Sequence, residues 1–508
     1  MPVHKDLSLF STFVNISLLI LKIITVYAKL IFSTYKTNSS RSNDCKQLEK
    51  ETCFEEKIIR AKDINEIVSI FGYKAREYVV TTRDGYLLCI HKLEALHTSS
   101  KDVGKNNNNK KVIYLHHGLL TNSELWCLGS SKEKTLPYLL VDLGYEVWLG
   151  NNRGNKYSRK HLKLSASSLE FWDFSLDEFS YFDIPDTIDY IDQFYESDNK
   201  RKLSNNIRSN SSSGSATPIN GSSTTTLNES NNFINESPSQ KKHQIIYIGF
   251  SQGCSQLLAS LSLNPELNYK ISLFIGLSPA IVPQNLNHPI FKSIVDLTAR
   301  DNSFLYSLFG RRAIFPSVSF WSSCFTPNFY EQVVDKSLMY LFGWSGTNIN
   351  KEQKRIGYPH MFSNSSVKSL LHWFQIIKAK RFQMFDETCS TGLTKLSTLS
   401  DSAKSKGNRV TPFPITDHLK IPMMLFYGDR DILVDIEKTK ELILNTNKHM
   451  ENKMDVVLCE TYEHMDTLWG NDVYELVFSK ILKKLETLDD NDVFRNDDEK
   501  LKQNLNLI

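Results

Sequence analysis

The chain has 508 residues, of which 41% are hydrophobic and 23% are charged, and its formal net charge at pH 7 is +3. A balance this close to neutral gives no support to a nucleic-acid-binding protein, and the hydrophobic content is sufficient for a large core. The eight cysteines are scattered, without a CxxC pair or a zinc-ligand spacing. We therefore expect no disulfide framework, no metal site and no organic cofactor.

The first predicted element is an apolar segment close to the N-terminus, at residues 7–33. At about 25 residues it is long enough to cross a bilayer. However, Asn15, Lys22 and Lys29 recur at a constant spacing and would form one polar stripe on a helix. Such a stripe is typical of a helix that lies in a membrane interface. We expect a monotopic anchor within residues 1–35, with a single-pass helix as the alternative, and no convincing cleavage site indicates a signal peptide.

An early apolar strand, residues 112–115, runs into the sequence His-His-Gly-Leu-Leu. A His-Gly turn after this strand would place a backbone N–H beside a catalytic turn later in the chain. We predict that the N–H of Leu119 is one of two donors that stabilise a negatively charged oxygen during catalysis. His117 is interpreted as a turn residue that forms hydrogen bonds with local backbone. Arg153, in a later turn, is expected to pair with a carboxylate and to hold loops near the site.

The most informative motif is Gly-Phe-Ser-Gln-Gly at residues 249–253, directly after an apolar strand. Strand, Gly-x-Ser-x-Gly and helix is the pattern of a nucleophile elbow, in which a tight turn exposes the serine hydroxyl. Gly249 and Gly253 would keep this turn free of clashes. We predict that Ser251 is the nucleophile and that the N–H of Gln252 is the second oxyanion donor. Because so short a motif also occurs by chance, the assignment depends on finding an acid and a base in the order that the fold requires.

Two regions interrupt the pattern of strands and helices. Residues 204–240 are rich in Ser, Asn and Thr, which predicts a disordered insert. Residues 284–415 are too many for a loop, and their aromatic and aliphatic density predicts a helical cap over an apolar acyl-binding pocket.

The candidate acid follows a late apolar strand at residues 423–427. Three aspartates compete for the role. Asp431 is preferred, because it lies in the loop just past the strand and is followed by apolar residues that would anchor it. Asp435 is the alternative, although it is better explained as the N-cap of a helix that starts near Ile436. Asp429 is the third.

The candidate base is His464, which follows the last predicted strand at residues 456–459. The other histidine in this part of the chain, His449, lies in a polar helix end. A serine hydroxyl needs a neighbouring imidazole to remove its proton, and a carboxylate fixes the tautomer of that imidazole. The order Ser251, Asp431, His464 therefore predicts a catalytic triad.

With these segments placed, the sequence resembles the acid-lipase family of α/β-hydrolases, and within it the fungal steryl ester hydrolases of lipid droplets. The resemblance extends from about residue 60 to about residue 485 and excludes two inserts. It depends on the segments YLHHGLL (114–120), GYEVW (144–148), GNNRGN (150–155), FWDFS (171–175), DEF (177–179), DIP (183–185), GFSQG (249–253), YEHMD (462–466) and WG (469–470). It implies a mostly parallel central sheet with helices on both faces and a helical cap, and it maps the same triad and oxyanion residues onto this chain. The family usually has a glycine at the position of Asp429.

The resemblance also implies an activity and a location. The implied reaction is cleavage of steryl esters to sterol and fatty acid through an acyl-enzyme, with triacylglycerol lipase as the alternative. From a different class, an inactive lipid-binding or droplet-tethering scaffold is the competing hypothesis. The expected location is the lipid droplet and the endoplasmic reticulum membrane, with the catalytic domain facing the cytosol. The expected division of the chain is a membrane-anchoring segment (1–35), a linker (36–60), a first part of the hydrolase core (61–283) containing the insert (204–240), a cap (284–415), a second part of the core (416–485) and a polar C-terminal tail (486–508).

Overall fold

The computed structural model describes residues 53–96, 111–211, 245–284, 295, 305–306, 309–314, 325–387, 410–415 and 419–488. The expected membrane anchor at 1–35, most of the insert at 204–240 and the chain beyond residue 488 lie outside the described residues. Within the described ranges, no helix has both the length and the apolar composition that crossing a membrane requires.

The strands of the described residues are, in chain order, β1 (Tyr73–Thr81), β2 (Tyr86–Ala95), β3 (Val112–His116), β4 (Glu146–Leu149), β5 (Lys160–His161), β6 (Ile245–Phe250), β7 (Ile271–Leu277), β8 (Ala313–Ile314), β9 (Ser365–Ser366), β10 (Met423–Gly428) and β11 (Met454–Cys459). Strands β3, β6 and β7 are nearly continuous apolar runs, and almost all of their residues are buried. Runs of this kind are typical of strands that are covered on both faces of a sheet.

The central sheet has the order β1-β2-β4-β3-β6-β7-β10-β11, and β5 pairs with β2. Strands β1, β2 and β4 pair antiparallel, whereas every pair from β4 to β11 is parallel. This mixed but mostly parallel sheet agrees with the predicted fold class. Because parallel strands end at one edge of a sheet, the segments after β3, β6, β10 and β11 lie together there, which is where sites form in open α/β sheets.

The α-helices of the described residues are α1 (Cys53–Arg60), α2 (Ile64–Ile70), α3 (Leu136–Asp142), α4 (Leu176–Glu178), α5 (Ile184–Ser211), α6 (Gln252–Leu263), α7 (Pro327–Phe342), α8 (Lys351–Met361), α9 (Val367–Ala379), α10 (Ile436–Leu444) and α11 (Asp466–Trp469). Local signals set several of their ends. The side chain of Asn350 accepts the N–H of Gln353 at the start of α8, and Ser366 caps α9 through the N–H of Ser369. Gly343, with φ 75°, ends α7 in the left-handed conformation.

Two apolar layers cover the two faces of the sheet, because successive side chains of a strand point to opposite sides. Ile248 of β6 lies in one layer, with the helical segments α2 and α3. Its neighbour Tyr247 lies in the other layer, with α6. Helices α7, α8 and α9, together with the β8–β9 pair, belong to the region predicted as the cap.

The predicted linker at 36–60 is wrong at its C-terminal end. Residues from Cys53 form α1, Ile58 is completely buried, and the ring of Phe54 packs edge-on against Phe71 at 5.3 Å. The folded domain therefore includes residues that the sequence assigned to a linker, because the apolar face of this short helix is buried against the core.

The predicted start of the disordered insert at 204–240 is also wrong. Helix α5 continues to Ser211 and so includes the first residues of that range. After Pro185 in its first turn, no glycine or proline interrupts the sequence before Gly214. Propagation from an established helix needs no new nucleus, so a polar continuation can remain helical.

Candidate active site

Ser251 lies in the turn between β6 and α6, in the position that the sequence predicted. Its backbone has φ 53° and ψ −118°, a conformation that residues with a side chain rarely adopt. The N–H of Ser251 donates a hydrogen bond to the carbonyl of Leu277 at 2.9 Å, which holds the turn against the end of β7. A strained turn of this kind presents the hydroxyl at the edge of the sheet.

The glycines on either side of Ser251 are required by close approach. A Cβ added at Gly249 would lie 2.9 Å from the nitrogen of Cys254. At Gly253 the added atom would lie 2.5 Å from the carbonyl oxygen of His116, at the end of β3. Both glycines therefore let the turn and the first residues of α6 pack against their neighbours without clashes.

The structure brings the predicted acid and base to Ser251. His464, between β11 and α11, has Nε2 2.7 Å from the Ser251 hydroxyl oxygen and Nδ1 2.7 Å from a carboxylate oxygen of Asp431. All three residues are buried. In the tautomer that carries its proton on Nδ1, His464 donates to Asp431 and accepts the hydroxyl proton of Ser251. This arrangement can convert the hydroxyl into a nucleophile.

The other two aspartates after β10 have different partners. Asp435 caps α10 and accepts the N–H of Lys438 at 3.1 Å. Asp429 accepts the N–H of Thr461 at 2.6 Å, joining the loops after β10 and β11. Of the three candidates, Asp431 is the one hydrogen-bonded to His464, as the sequence preferred.

The predicted oxyanion segment lies against the serine turn. A Cβ added at Gly118 would lie 2.9 Å from the Cβ of Ser251, so Gly118 packs closely against the serine and leaves no room for a side chain. Leu119 and Gln252 follow the ends of β3 and β6, which are neighbouring strands of the sheet. The roles of the Leu119 and Gln252 N–H groups as oxyanion donors stay predictions.

His117 supports this segment through both ring nitrogens. Its Nε2 accepts the backbone N–H of Asn152 at 3.1 Å, which leaves the proton on Nδ1 to be donated to the carbonyl of Gly118 at 2.8 Å. Burial, and then the neighbouring His116, lower the pKa of His117 well below its ordinary value, so the ring is neutral at pH 7. The prediction that His117 bonds to local backbone is confirmed, and the bond from Asn152 adds a longer-range contact.

Arg153 is completely buried in an ion-pair network close to the site. It contacts Asp183 at 2.6 Å, donates to Asp84 at 3.0 Å and lies over the ring of Tyr86. Burial works against its charge, but the two carboxylates outweigh burial and raise the pKa of the guanidinium. The expected pairing of Arg153 with a carboxylate is confirmed.

Sequence reasoning missed two contacts that the cap makes with the site. The indole of Trp344 is stacked on the His464 ring, with ring centroids 5.3 Å apart and an interplanar angle of 6°. The indole N–H of Trp373 donates to the side-chain oxygen of Gln252 at 2.7 Å. No local motif distinguishes these tryptophans from ordinary core residues. Only the tertiary fold brings them to the site.

The residues that follow α7 are joined to the histidine loop by several hydrogen bonds, and we call residues 344–350 the strap. Glu463 accepts three of these bonds, from the N–H of Ser345 at 2.7 Å, its hydroxyl at 2.9 Å and the N–H of Gly346 at 2.8 Å. Asn348 donates to a carboxylate oxygen of Asp466 at 2.8 Å. Burial raises the pKa of Asp466 to about 6.

One group of side chains in the described ranges has the composition of a metal site. Ligand atoms of Glu77, Cys89 and His91 lie within 4.8 Å of one another on the β1–β2 hairpin. Burial raises the pKa of the Cys89 thiol to about 12, so this thiol keeps its proton. The Cys89 sulfur lies 3.5 Å from Nε2 of His91, and this hydrogen bond explains why the two side chains are close together. We assign the group no role in the reaction.

The cysteine after the elbow has no nucleophilic role. Cys254 is buried in α6, and its thiol donates to the carbonyl of Gly249 at 3.2 Å. Burial raises the pKa of this thiol, which disfavours the reactive thiolate. Cys89, Cys127, Cys254 and Cys459 are buried, and all four are free thiols.

Fold and site together are those of an α/β-hydrolase with a Ser-His-Asp arrangement. A family profile described as "alpha/beta hydrolase fold" matches residues 111–469, and a second, described as "partial alpha/beta-hydrolase lipase region", matches residues 64–130. The chain belongs to the α/β-hydrolase lipases.

Named relatives agree with this membership. A Schizosaccharomyces pombe protein named probable lipase is 38% identical, and the match covers 84% of this chain and 80% of the relative. Human lysosomal acid lipase/cholesteryl ester hydrolase is 27% identical, over 83% of this chain and 90% of the relative. Rat gastric triacylglycerol lipase is 26% identical, over 83% and 91%. The protein is a lipase-type carboxylic ester hydrolase.

Proposed function

We propose that the protein hydrolyses steryl esters to sterol and fatty acid. The hydrogen-bonded chain from Ser251 through His464 to Asp431 is the observation that carries the reaction type. In this proposal Ser251 is the nucleophile, His464 is the general base and then the general acid, and Asp431 orients and stabilises the imidazole. The chemistry needs no metal and no organic cofactor.

The reaction proceeds in two halves. Nε2 of His464 takes the hydroxyl proton while the Ser251 oxygen attacks the ester carbonyl, and the N–H groups of Leu119 and Gln252 stabilise the resulting oxyanion. His464 then donates its proton to the leaving alcohol, and the acyl group remains on Ser251. Water, deprotonated by the same imidazole, hydrolyses this acyl-enzyme and releases the fatty acid.

The choice of a steryl ester is supported by the resemblance of the sequence and by the name of one relative, which includes cholesteryl ester hydrolase. The name of the gastric relative supports triacylglycerol equally well, so triacylglycerol lipase is the second candidate. An inactive lipid-binding scaffold would have no need for the geometry at Ser251, so we do not favour that hypothesis.

We also propose that residues 7–33 attach the protein to the endoplasmic reticulum membrane and to the lipid-droplet monolayer, with the catalytic domain in the cytosol. A droplet has an apolar core and no second aqueous side, so a monotopic helix can remain there. The apolar composition of the segment and its stripe of lysines support this proposal.

Fatty-acid release from matched emulsions tests the substrate. Membrane-purified protein would be given cholesteryl oleate or trioleoylglycerol, with Ser251→Ala prepared in parallel. We expect release from cholesteryl oleate that the substitution abolishes. Release from trioleoylglycerol alone would retain the mechanism and replace the substrate, and no release from folded protein with either lipid would contradict the proposed hydrolase.

A further inference from the structure

The turn that carries the predicted oxyanion donor Leu119 is held by two side chains through one carbonyl group, and we call residues 117–121 the oxyanion turn. The Gly118 carbonyl accepts a hydrogen bond from the Thr121 hydroxyl at 3.0 Å and another from Nδ1 of His117 at 2.8 Å. Nδ1 also lies 3.1 Å from the hydroxyl oxygen of Thr121. His117 and Thr121 are both buried, so these bonds are shielded from water.

The Gly118 carbonyl matters because it belongs to the same peptide unit as the N–H of Leu119. A trans peptide unit is planar, and its C=O and N–H bonds point in opposite directions. No cis peptide bond occurs within the described ranges, and no backbone carbonyl there accepts the Leu119 N–H. Holding the carbonyl of Gly118 therefore sets the direction of an N–H that is free to bind an incoming oxygen.

The oxyanion turn contains a strained residue and lies against the nucleophile. Leu120 has φ 59°, in the left-handed region that residues with a side chain rarely adopt. Strain of this kind persists only where the surrounding contacts hold it. One such contact is the hydrogen bond from the N–H of Ser363 to the Leu120 carbonyl at 2.7 Å. Because Gly118 packs closely on Ser251, a rotation of the 118–119 peptide would move its N–H relative to the reacting atoms.

We propose that Thr121 and His117 are positioning residues that orient the 118–119 peptide, so that the Leu119 N–H stabilises the oxyanion. This inference rests on the proposed function and deepens it, because it assigns the geometry of one oxyanion donor to two side chains. A donor aimed at the oxyanion stabilises the transition state more than the bound ester. Loss of that aim lowers kcat and leaves KM nearly unchanged.

Thr121 offers a close comparison of variants. Thr121→Val removes the hydroxyl and keeps the shape of the side chain, whereas Thr121→Ser restores the hydroxyl. His117→Leu removes the other donor to Gly118. Thr439→Val is the matched control, because Thr439 is also buried and its hydroxyl donates to the carbonyl of Asp435 at 2.9 Å. In both threonine-to-valine variants the carbonyl keeps one other donor, which at Asp435 is the N–H of Thr439 at 3.0 Å.

The experiment makes two measurements on full-length, membrane-purified protein. The first is kcat and KM for p-nitrophenyl butyrate, a short ester that does not depend on the sterol preference. The second is the inhibition constant of an alkyl trifluoromethyl ketone. The Ser251 oxygen adds to the ketone carbon, the electron pair of the C=O bond moves onto its oxygen, and the hydroxyl proton passes to His464. The tetrahedral alkoxide occupies the oxyanion site, so this constant reports the donors and not merely the fold.

We expect Thr121→Val to lower kcat about tenfold and to weaken ketone binding about tenfold, with KM within about twofold of wild type. This loss is smaller than the roughly 10²–10³-fold cost of removing a donor outright, because His117 still holds the carbonyl. Thr121→Ser should keep both values within about threefold of wild type, since the hydroxyl remains. His117→Leu should lower both further than Thr121→Val, and Thr439→Val should leave both unchanged.

A kcat for Thr121→Val within about twofold of wild type overturns the proposal, as does a fall in kcat without weaker ketone binding. Equal losses in Thr121→Val and Thr439→Val overturn it as well. If Thr121→Val does not fold, Thr121→Ala is judged by the same limits. Failure of the proposed function is a separate result. A wild type that cleaves the short ester but no steryl ester changes the substrate alone, whereas one that neither cleaves an ester nor binds the ketone overturns both proposals.

Discussion

Single residues at the carboxyl end of β10 show how position decides the role of a carboxylate. Asp431 and Asp435 are four positions apart, yet one binds the base and the other caps a helix. Both assignments were reachable from the sequence, because the fold orders the triad as Ser, acid, His and because an aspartate before a helix is a familiar N-cap.

Asp431→Asn and Asp435→Asn form a matched pair that tests this division. We expect Asp431→Asn to lower kcat by about 10⁴-fold, because the imidazole then loses its correct tautomer and its counter-charge. Asparagine caps a helix about as well as aspartate, so Asp435→Asn should keep both activity and stability. Equal losses of fatty-acid release in the two variants would contradict the assignment of Asp431.

Arg153 is a second residue whose role depends on its partners, because its charge is paired with the carboxylates of Asp84 and Asp183. Arg153→Lys keeps a positive charge but loses the two-sided pairing with Asp84 and Asp183, and we expect about 2–4 kcal/mol of lost stability. Arg76→Lys is the control, since its pair with Glu94 is largely exposed and the substitution should leave stability nearly unchanged. Chemical denaturation measures both, and similar losses would argue against a structural role for the buried network.

At the scale of elements, the strands, the elbow and a helical region at 284–415 were predictable, whereas the contacts of that region with the site were not. A buried parallel strand is recognisable in the sequence as an apolar run, and the elbow is recognisable by a short local motif. The strap depends on contacts between residues more than 100 positions apart, such as Ser345 with Glu463. No pattern in either segment indicates the other, so the covering of His464 by Trp344 required the structure.

Helix α9 gives a pH-dependent prediction. Burial lowers the pKa of its His372 to about 4. The pKa of His372 is therefore lower in the folded protein than in the unfolded chain, where it is about 6.5. Its contribution to stability is fully present at a pH above about 6.5 and is lost as the pH falls toward the folded pKa. From pH 7 to pH 5 the unfolded chain binds the extra proton, and His372 should account for a loss of about 2 kcal/mol.

His372→Gln isolates this effect, because glutamine does not titrate and keeps a donor for the carbonyl of Gln383, which lies 2.8 Å from the imidazole Nε2. Urea unfolding of wild type and variant at pH 7 and pH 5 gives the comparison. We expect the variant to lose less stability on acidification. An identical pH dependence in the two proteins would show that His372 is not buried as a neutral ring.

At the scale of the whole molecule, catalytic domain and anchor are expected to be separable. Removing residues 1–35 should transfer the protein from the membrane and droplet fractions to the soluble fraction, because the proposed anchor lies there. The rate of hydrolysis of a water-soluble short-chain ester should be unchanged, since the described site uses no residue from that segment. Membrane retention of the truncated protein, measured by flotation, would contradict the assignment of the anchor.

The motifs and the family resemblance that they carry were sufficient for the fold class, and the order of the motifs was sufficient to select the three residues that the structure brings together. They were insufficient for the domain edges at α1 and α5. There, burial of one helical face and helix propagation outweigh a composition that looks like linker.

The most direct test of the central claim is to label the folded, full-length protein with a fluorophosphonate and to locate the adduct by mass spectrometry. The hydrogen-bonded geometry at the elbow predicts a single modified serine, Ser251, and no labelling of Ser251→Ala. An adduct on another serine, or no adduct on wild type that releases fatty acid from an ester, would contradict the proposed nucleophile and the mechanism built on it.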